Sequence, residues 1–145
     1  MNQYRVCIVT AARSEYGLLK WVIDGVCHDK DLELQLAVTG SHLSEEHGLT
    51  YRFIEEDGYP ITAKVNMQLS SDDKKSIVRS MGKCSEGFAD AFTQLQPDVV
   101  MVLGDRYELL PIVSAALVMG IPVAHLSGGD VTEVLLIMRF VMPYQ

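Results

Sequence analysis

Residues 98–130 read DVVMVLGDRYELLPIVSAALVMGIPVAHLSGGD, and this stretch decides the fold. Residues 99–103 are an uninterrupted apolar run, the mark of a strand buried on both faces. Gly104, Asp105 and Arg106 follow directly at its carboxyl end. A second apolar run, residues 121–126, leads in the same way into Ser127, Gly128, Gly129 and Asp130. Two neighbouring strand ends therefore carry an acid, an arginine and a flexible glycine pair toward one crevice. In open α/β sheets, that crevice is where ligands bind.

Working outward, residues 5–10 form a Val- and Ile-rich strand. The segment Ala11-Ala12-Arg13-Ser14-Glu15-Tyr16-Gly17 then turns the chain into a helix, with Ser14 as the expected cap. Leu18, Leu19, Val22, Ile23 and Val26 recur at helical spacing, and residues 32–38 give a second strand. This is one βαβ unit, and it puts Thr39-Gly40-Ser41-His42 on the same sheet edge as Arg13. A short helix is expected over residues 51–56 and a third strand near residues 61–65. Ser70-Ser71-Asp72-Asp73 has the pattern of a capping box with Asp in the usual Glu position. Ile77, Met81, Cys84, Phe88 and Phe92 mark one face of the long helix that follows, which Pro97 closes. A helix through residues 109–119, stopped by Gly120, joins the last two strands. Roughly five strands alternating with helices make an α/β, Rossmann-like, doubly wound parallel sheet.

Composition sets the limits. The 145 residues are enough for one domain with a real core, and 48% hydrophobic content marks a globular class. A formal net charge of −7 excludes sequence-independent nucleic-acid binding, which needs clustered Lys and Arg. An anionic ligand would require local positive charge. Cys7, Cys27 and Cys84 lie in apolar patterns with no CxxC pair, as expected for reduced thiols in a cytoplasmic protein. The first residues read as a strand and not a signal peptide. Residues 134–142, VLLIMRFVM, are apolar at eight of nine positions, unlike a surface helix, and fall short of the about 20 apolar residues that span a bilayer. They are expected to be an aberrant tail, outside a domain of residues 1–133, covered by something beyond the chain.

Each candidate site residue has a functional and a plain structural reading. Arg13, beside the free N–H groups of a starting helix, would hold a pyrophosphate, or it is a surface arginine. Asp105 is a base or sugar-orienting acid, or it is a helix cap ion-paired to Arg106. Glu108, one helical turn on, is expected to face solvent. His42 on the loop after the second strand would donate to a substrate oxygen. His125, between Ala124 and Leu126, reads as a satisfied core histidine, and His28 and His47 as loop residues. No two histidines have metal-ligand spacing, so no metal is expected. Gly128 and Gly129 would let backbone amides approach a ligand, or form a tight turn.

The blocks VTAARSEYG, AVTGSHLSEEHGLTYRFIEEDGYPI, MVLGDRYE and IPVAHLSGGDVTE keep the order and spacing of one family. From about Arg5 to Glu133 the chain resembles the hydrolysing UDP-N-acetylglucosamine 2-epimerases of sialic acid biosynthesis. The resemblance implies two Rossmann-type domains in a GT-B arrangement, with the sugar nucleotide between them and this chain as the N-terminal half. It implies anti elimination of UDP to a 2-acetamidoglucal, then addition of water to give N-acetylmannosamine, with no cofactor. Asp105 would take an acid/base role, Arg13 and Arg106 would contact the nucleotide beside Ser14, and His42, Ser127, Gly128 and Gly129 would face the substrate.

Two departures stand out. Ser127 occupies the position where some relatives carry a catalytic glutamate, and a hydroxyl does not replace a carboxylate as general base near neutral pH. After Glu133 the expected Gly, acid pair and Arg-His are replaced by VLLIMRFVMPYQ, as a frameshift or truncation would produce. The expectation is thus an epimerase by descent, inactive as an isolated chain, that associates as a homo-oligomer or through its tail. The alternatives are a non-catalytic nucleotide-binding or interaction domain, and UDP-diacetylbacillosamine as the sugar nucleotide. A receiver-like signalling domain is disfavoured, because no acidic cluster at the first strand end pairs with a downstream lysine.

Overall fold

The computed structural model describes residues 3–126. The chain runs β1 (Tyr4–Thr10), α1 (Arg13–His28), β2 (Leu32–Thr39), a 3₁₀ turn (Gly40–Leu43), α2 (Tyr51–Glu56), β3 (Ala63–Val65), α3 (Lys74–Leu95), β4 (Val99–Leu103), α4 (Leu109–Val118) and β5 (Val123–Leu126). Five strands form one sheet in the order β3-β2-β1-β4-β5, and every pairing is parallel. Parallel neighbours need crossovers, and the helices supply them. The strand order reverses direction between β1 and β4, which opens a crevice at their carboxyl ends.

Alternation along β1 splits the core in two. Val6 and Ile8 face one side, where they pack with Tyr16, Leu19, Ile23 and Val26 of α1 and with Leu36, Val38 and Ile54. Cys7 and Val9 face the other, against Cys84, Phe88 and Phe92 of α3 and Ile112, Val113 and Ala116 of α4. The stretch Val6–Val9 is therefore apolar at every position, because both of its faces are covered. Burial also pushes the Cys7 and Cys84 thiols up to about 12, so both behave as small hydrophobes. Cys27, in contrast to its apolar setting in the sequence, is exposed.

The helix ends differ from the sequence reading in instructive ways. Ser14 is not the cap of α1: Ala12 holds that position with extended backbone and no side-chain bond, and Ser14 lies exposed inside the first turn. The cap of α3 is Asp73 itself, whose Oδ1 accepts the Ser76 N–H at 3.0 Å, so the acid expected to reach back as the box's fourth member instead starts the helix. Gln96 closes α3 in the left-handed region, ahead of Pro97. β3 starts at Ala63, two residues later than expected. His28 is the last residue of α1 and no loop residue.

α3 crosses from the β3 edge back over the sheet, and it comes very close. A Cβ at Gly87 would stand 2.4 Å from Val65 Cγ1, so only glycine allows this approach. Phe88, fully buried beside it, tilts against Phe92 with ring centroids 5.3 Å apart. Phe88→Ala is expected to lower stability by about 3–5 kcal/mol, the range for large aromatic truncations in a core, as read by urea unfolding.

Candidate functional site

Polar contacts tie the carboxyl end of β1 to that of β2, and the carboxyl end of β4 to β5. Ser41, just past β2, donates both its backbone N–H (3.0 Å) and its hydroxyl (3.1 Å) to the Ala11 carbonyl past β1. Gly40 sits at φ +61°, and a Cβ there would lie 2.7 Å from that same carbonyl oxygen. The turn thus needs glycine for both conformation and space. Past β4, the Gly104 N–H donates to the Leu126 carbonyl at 3.1 Å, and His125 Nε2 lies 2.6 Å from the Gly104 carbonyl. His125 is a satisfied histidine, as its strand position indicated.

Beneath this rim lies a cluster of charge. Glu108 is fully enclosed, at 0% exposure, where the sequence reading had it facing solvent. The reason is positional: α4 begins at Leu109, so Glu108 is the residue preceding the helix and turns into the rim. There Arg106 holds it with two charge-assisted bonds, Nε–H to Oε2 at 3.2 Å and Nη2–H to Oε1 at 2.9 Å. The Arg106 side chain is 41% exposed, so its guanidinium keeps N–H groups for solvent or an anion.

Glu15 is the other buried acid, missed by the sequence reading. It stands at the third residue of α1, the position from which a carboxylate reaches back to the chain entering the helix, and it accepts the Ala11 N–H at 2.9 Å. That placement was the available signal. Burial pushes its carboxyl up to about 6, against the opposing pull of the Ala11 N–H and the Arg106 charge.

His42 is enclosed completely, with Nε2 at 2.9 Å from Thr10 Oγ1 and Nδ1 at 2.9 Å from Thr50 Oγ1. The Thr10 hydroxyl donates to the Ala12 carbonyl at 3.3 Å, which leaves it to accept from Nε2–H while the Thr50 hydroxyl donates to Nδ1 of a neutral imidazole. Burial pushes this histidine down to about 4, and the Arg106 charge adds to the effect.

Above the rim stand the residues left open to solvent. Asp105, Arg13 and Ser14 are exposed, and the Arg13 guanidinium lies 4.2 Å over the Phe53 ring. The α2 segment carrying Phe53 is tied to α1 by Tyr16, whose hydroxyl donates to Asp57, and by Tyr59, whose hydroxyl donates to Asp24 at 2.9 Å. Because β1 pairs directly with β4, Arg13 at the start of α1 and Arg106 after β4 both follow the carboxyl ends of adjacent strands. Ser127, Gly128 and Gly129, and the run 134–142, lie outside the described residues. Among the described residues there is no group of three His, Cys, Asp or Glu able to hold a metal, and no helix long and apolar enough to cross a membrane.

The two buried groups give opposite pH signatures. Glu15 has a raised native pKa, so its favourable contribution is complete below about 4.5 and is lost as pH rises through about 6, roughly 2 kcal/mol in all. His42 has a lowered one, so its contribution is complete above about 6.5 and is lost as pH falls toward about 4, roughly 3 kcal/mol. Urea unfolding across this range is expected to show Glu15→Gln gaining about 1–2 kcal/mol at pH 7.5 and nothing at pH 4. His42→Gln is expected to lose stability at neutral pH and to flatten the acid limb.

The architecture and the sequence both have clear counterparts. Residues 25–136 match the family model described as UDP-N-acetylglucosamine 2-epimerase. The chain is 47% identical over 132 residues to the GDP/UDP-N,N'-diacetylbacillosamine 2-epimerase (hydrolyzing) of Campylobacter jejuni, covering 91% of this chain and 34% of that protein. It is 35% identical over 128 residues to polysialic acid biosynthesis protein P7 of Escherichia coli, covering 88% of this chain and 33% of that one. The chain thus spans about a third of the length of these curated relatives. Among solved structures, UDP-GlcNAc 2-epimerase from Neisseria meningitidis superposes with TM-score 0.73 at 19% identity, over 88% of this chain and 33% of that one. MurG of Acinetobacter baumannii superposes with TM-score 0.66 at 17% identity, over 96% of this chain and 40% of that one. These likenesses establish the fold as the N-terminal, Rossmann-like half of a GT-B arrangement.

Proposed function

The chain belongs to the UDP-N-acetylglucosamine 2-epimerase family, and we propose that its strand-end rim forms the wall of a hydrolysing 2-epimerase site that grips a UDP-linked 2-acetamido sugar. The observation that carries this reading is the pairing of β1 with β4. With it, the exposed Arg13 at the start of α1 and the half-exposed Arg106 after β4 follow the carboxyl ends of two adjacent strands at the strand-order reversal. In a chain of net charge −7, these two guanidiniums supply the local positive charge that a diphosphate needs.

In the proposed reaction, a base removes the proton from C2 of the sugar. The C1–O bond breaks with its electron pair leaving on UDP, and a C1=C2 double bond forms. Water then adds across that bond, with its hydroxyl at C1 and a proton delivered to C2 from the opposite face, which yields the epimer N-acetylmannosamine. Asp105, open to solvent at the end of β4, takes the acid/base role. Arg13, Ser14 and Arg106 hold the nucleotide. His42 supports this wall from beneath, and Ser127, Gly128 and Gly129 face the sugar. No cofactor enters the scheme. The free cysteines suit a cytoplasmic setting.

A second substrate has a specific observation in its favour. The relatives from Campylobacter jejuni and Legionella pneumophila, 47% and 35% identical, are named for diacetylbacillosamine, whereas the Neisseria meningitidis protein named for UDP-N-acetylglucosamine is 27% identical. UDP-N,N'-diacetylbacillosamine is therefore the alternative, and the two sugar nucleotides belong side by side in every assay.

A reaction that develops charge between two walls of a cleft loses most of its acceleration when one wall works alone. The 145-residue chain, assayed by itself, is accordingly expected to bind UDP saturably and to release no UDP from either sugar nucleotide above background. Arg13→Ala is expected to weaken UDP binding about tenfold by calorimetry, the worth of one charge-assisted contact. Turnover near that of a full-length relative would overturn the inactivity. Absence of UDP binding would overturn the nucleotide site and leave only an interaction domain. The chain is also expected to self-associate, through the apolar run 134–142, and a clean monomer by light scattering at high concentration would refute this.

A further inference from the structure

The buried carboxylate of Glu108 sits on the opposite side of Arg106 from solvent, and that one-sidedness carries an inference which rests on the diphosphate reading above. We propose that Glu108 is a positioning residue: it touches no substrate, and it fixes the plane and direction of the Arg106 guanidinium so that the free N–H edge meets a diphosphate.

Three features of the rim support this. First, the pair is a fork in which Nε–H and Nη2–H each meet a different oxygen of one carboxylate, at 3.2 and 2.9 Å. A bidentate contact fixes orientation as well as distance, which a single bond does not. Second, the carboxylate is wedged from behind. A side chain at Gly40 would come within 3.3 Å of Glu108 Oε1, and Gly40 is itself held by Ser41, which donates its N–H and hydroxyl to Ala11. The ends of β1 and β2 therefore brace a group that belongs to the end of β4. Third, Glu15 presents a second acid to Arg106 from the first turn of α1. The opposite charges attract, while the bidentate contact that sets the guanidinium's orientation is made by Glu108.

A purely structural role explains this arrangement less well. Burying an ion pair is at best neutral compared with apolar residues of the same volume, so the pair is weak as a stability device. Its asymmetry has a use only if the exposed member must point somewhere. An unclamped arginine would lose side-chain entropy on meeting an anion, and a clamp already in place removes that loss from the binding step.

The test is a double-mutant cycle on UDP affinity in the 145-residue chain, with wild type, Glu108→Gln, Arg106→Ala and the double variant measured by calorimetry. Glu108→Gln is expected to weaken UDP binding about tenfold, Arg106→Ala at least as much, and the double variant no more than Arg106→Ala alone, because Glu108 acts only through Arg106. Nitrogen-15 NMR of the arginine Nε–H groups gives a readout that stability does not move. A slowly exchanging Arg106 signal is expected in the unliganded wild type and is expected to be lost in Glu108→Gln. Additive losses of affinity, an unchanged Arg106 signal, or wild-type UDP affinity in Glu108→Gln would each overturn the clamp while leaving the nucleotide site standing. A wild-type chain that binds no UDP would instead overturn the functional reading, and the clamp with it. If Glu108→Gln does not fold, Glu108→Asp replaces it. Shortening by one methylene is expected to break the fork and weaken UDP severalfold, and affinity equal to wild type would refute the proposal.

Discussion

β1 is the constraint on which the rest of the molecule depends. It is bonded along one edge to β2 and along the other to β4, and it is covered on one face by α1 and on the other by α3 and α4. The enclosed part of the strand, Val6 through Val9, carries no charge, and its one charged residue, Arg5, lies near the exposed start, paired with Glu33. Polar chemistry is displaced to its carboxyl end, where Thr10 and Ala11 meet the loops following β2 and β4. The location of the candidate site is thus a consequence of how completely the core is closed.

The rim then has to solve an electrostatic problem created by its own depth. Glu15, Glu108 and His42 are all buried, and desolvation opposes the charged form of each. The structure answers differently in each case. His42 sits between two threonine hydroxyls, Glu108 is paired with Arg106 through two hydrogen bonds, and Glu15 accepts a backbone N–H. Only one arginine serves two acids in this cluster. Arg13 lies instead over the Phe53 ring, 4.2 Å from its centroid.

Much of the fold was legible because it follows from periodicity. The apolar run 99–103 and the residues 51–56 were bounded as the structure has them, and the face formed by Cys84, Phe88 and Phe92 packs where its spacing indicated. Helix caps were less legible, since a row of Ser70, Ser71, Asp72 and Asp73 offers several equivalent starts and only the path of the incoming chain selects Asp73. In the site, the residues standing at strand ends, Arg13, Asp105 and Arg106, could be placed from the sequence alone. Glu108 could not. Its burial depends on α4 starting one residue later and on Arg106 two positions earlier folding over it, a contact that no helical or strand repeat encodes. His42 shows the same limit, because its loop position is correct while its enclosure comes from Thr10 and Thr50, at distant positions in the chain.

These long-range contacts explain why the family resemblance extends through whole blocks and not isolated residues. Gly40 must be glycine because Ala11 and Glu108 crowd it, Ser41 is tied to Ala11, and His42 is tied to Thr10 and Thr50. A change at any one of these positions disturbs a loop belonging to another strand. The block AVTGSHL is thus tied to VTAARSEYG by hydrogen bonds and crowds Glu108 of MVLGDRYE, so the three blocks meet at one end of the sheet. Relatives named for different sugars match this chain over the same third of their own length.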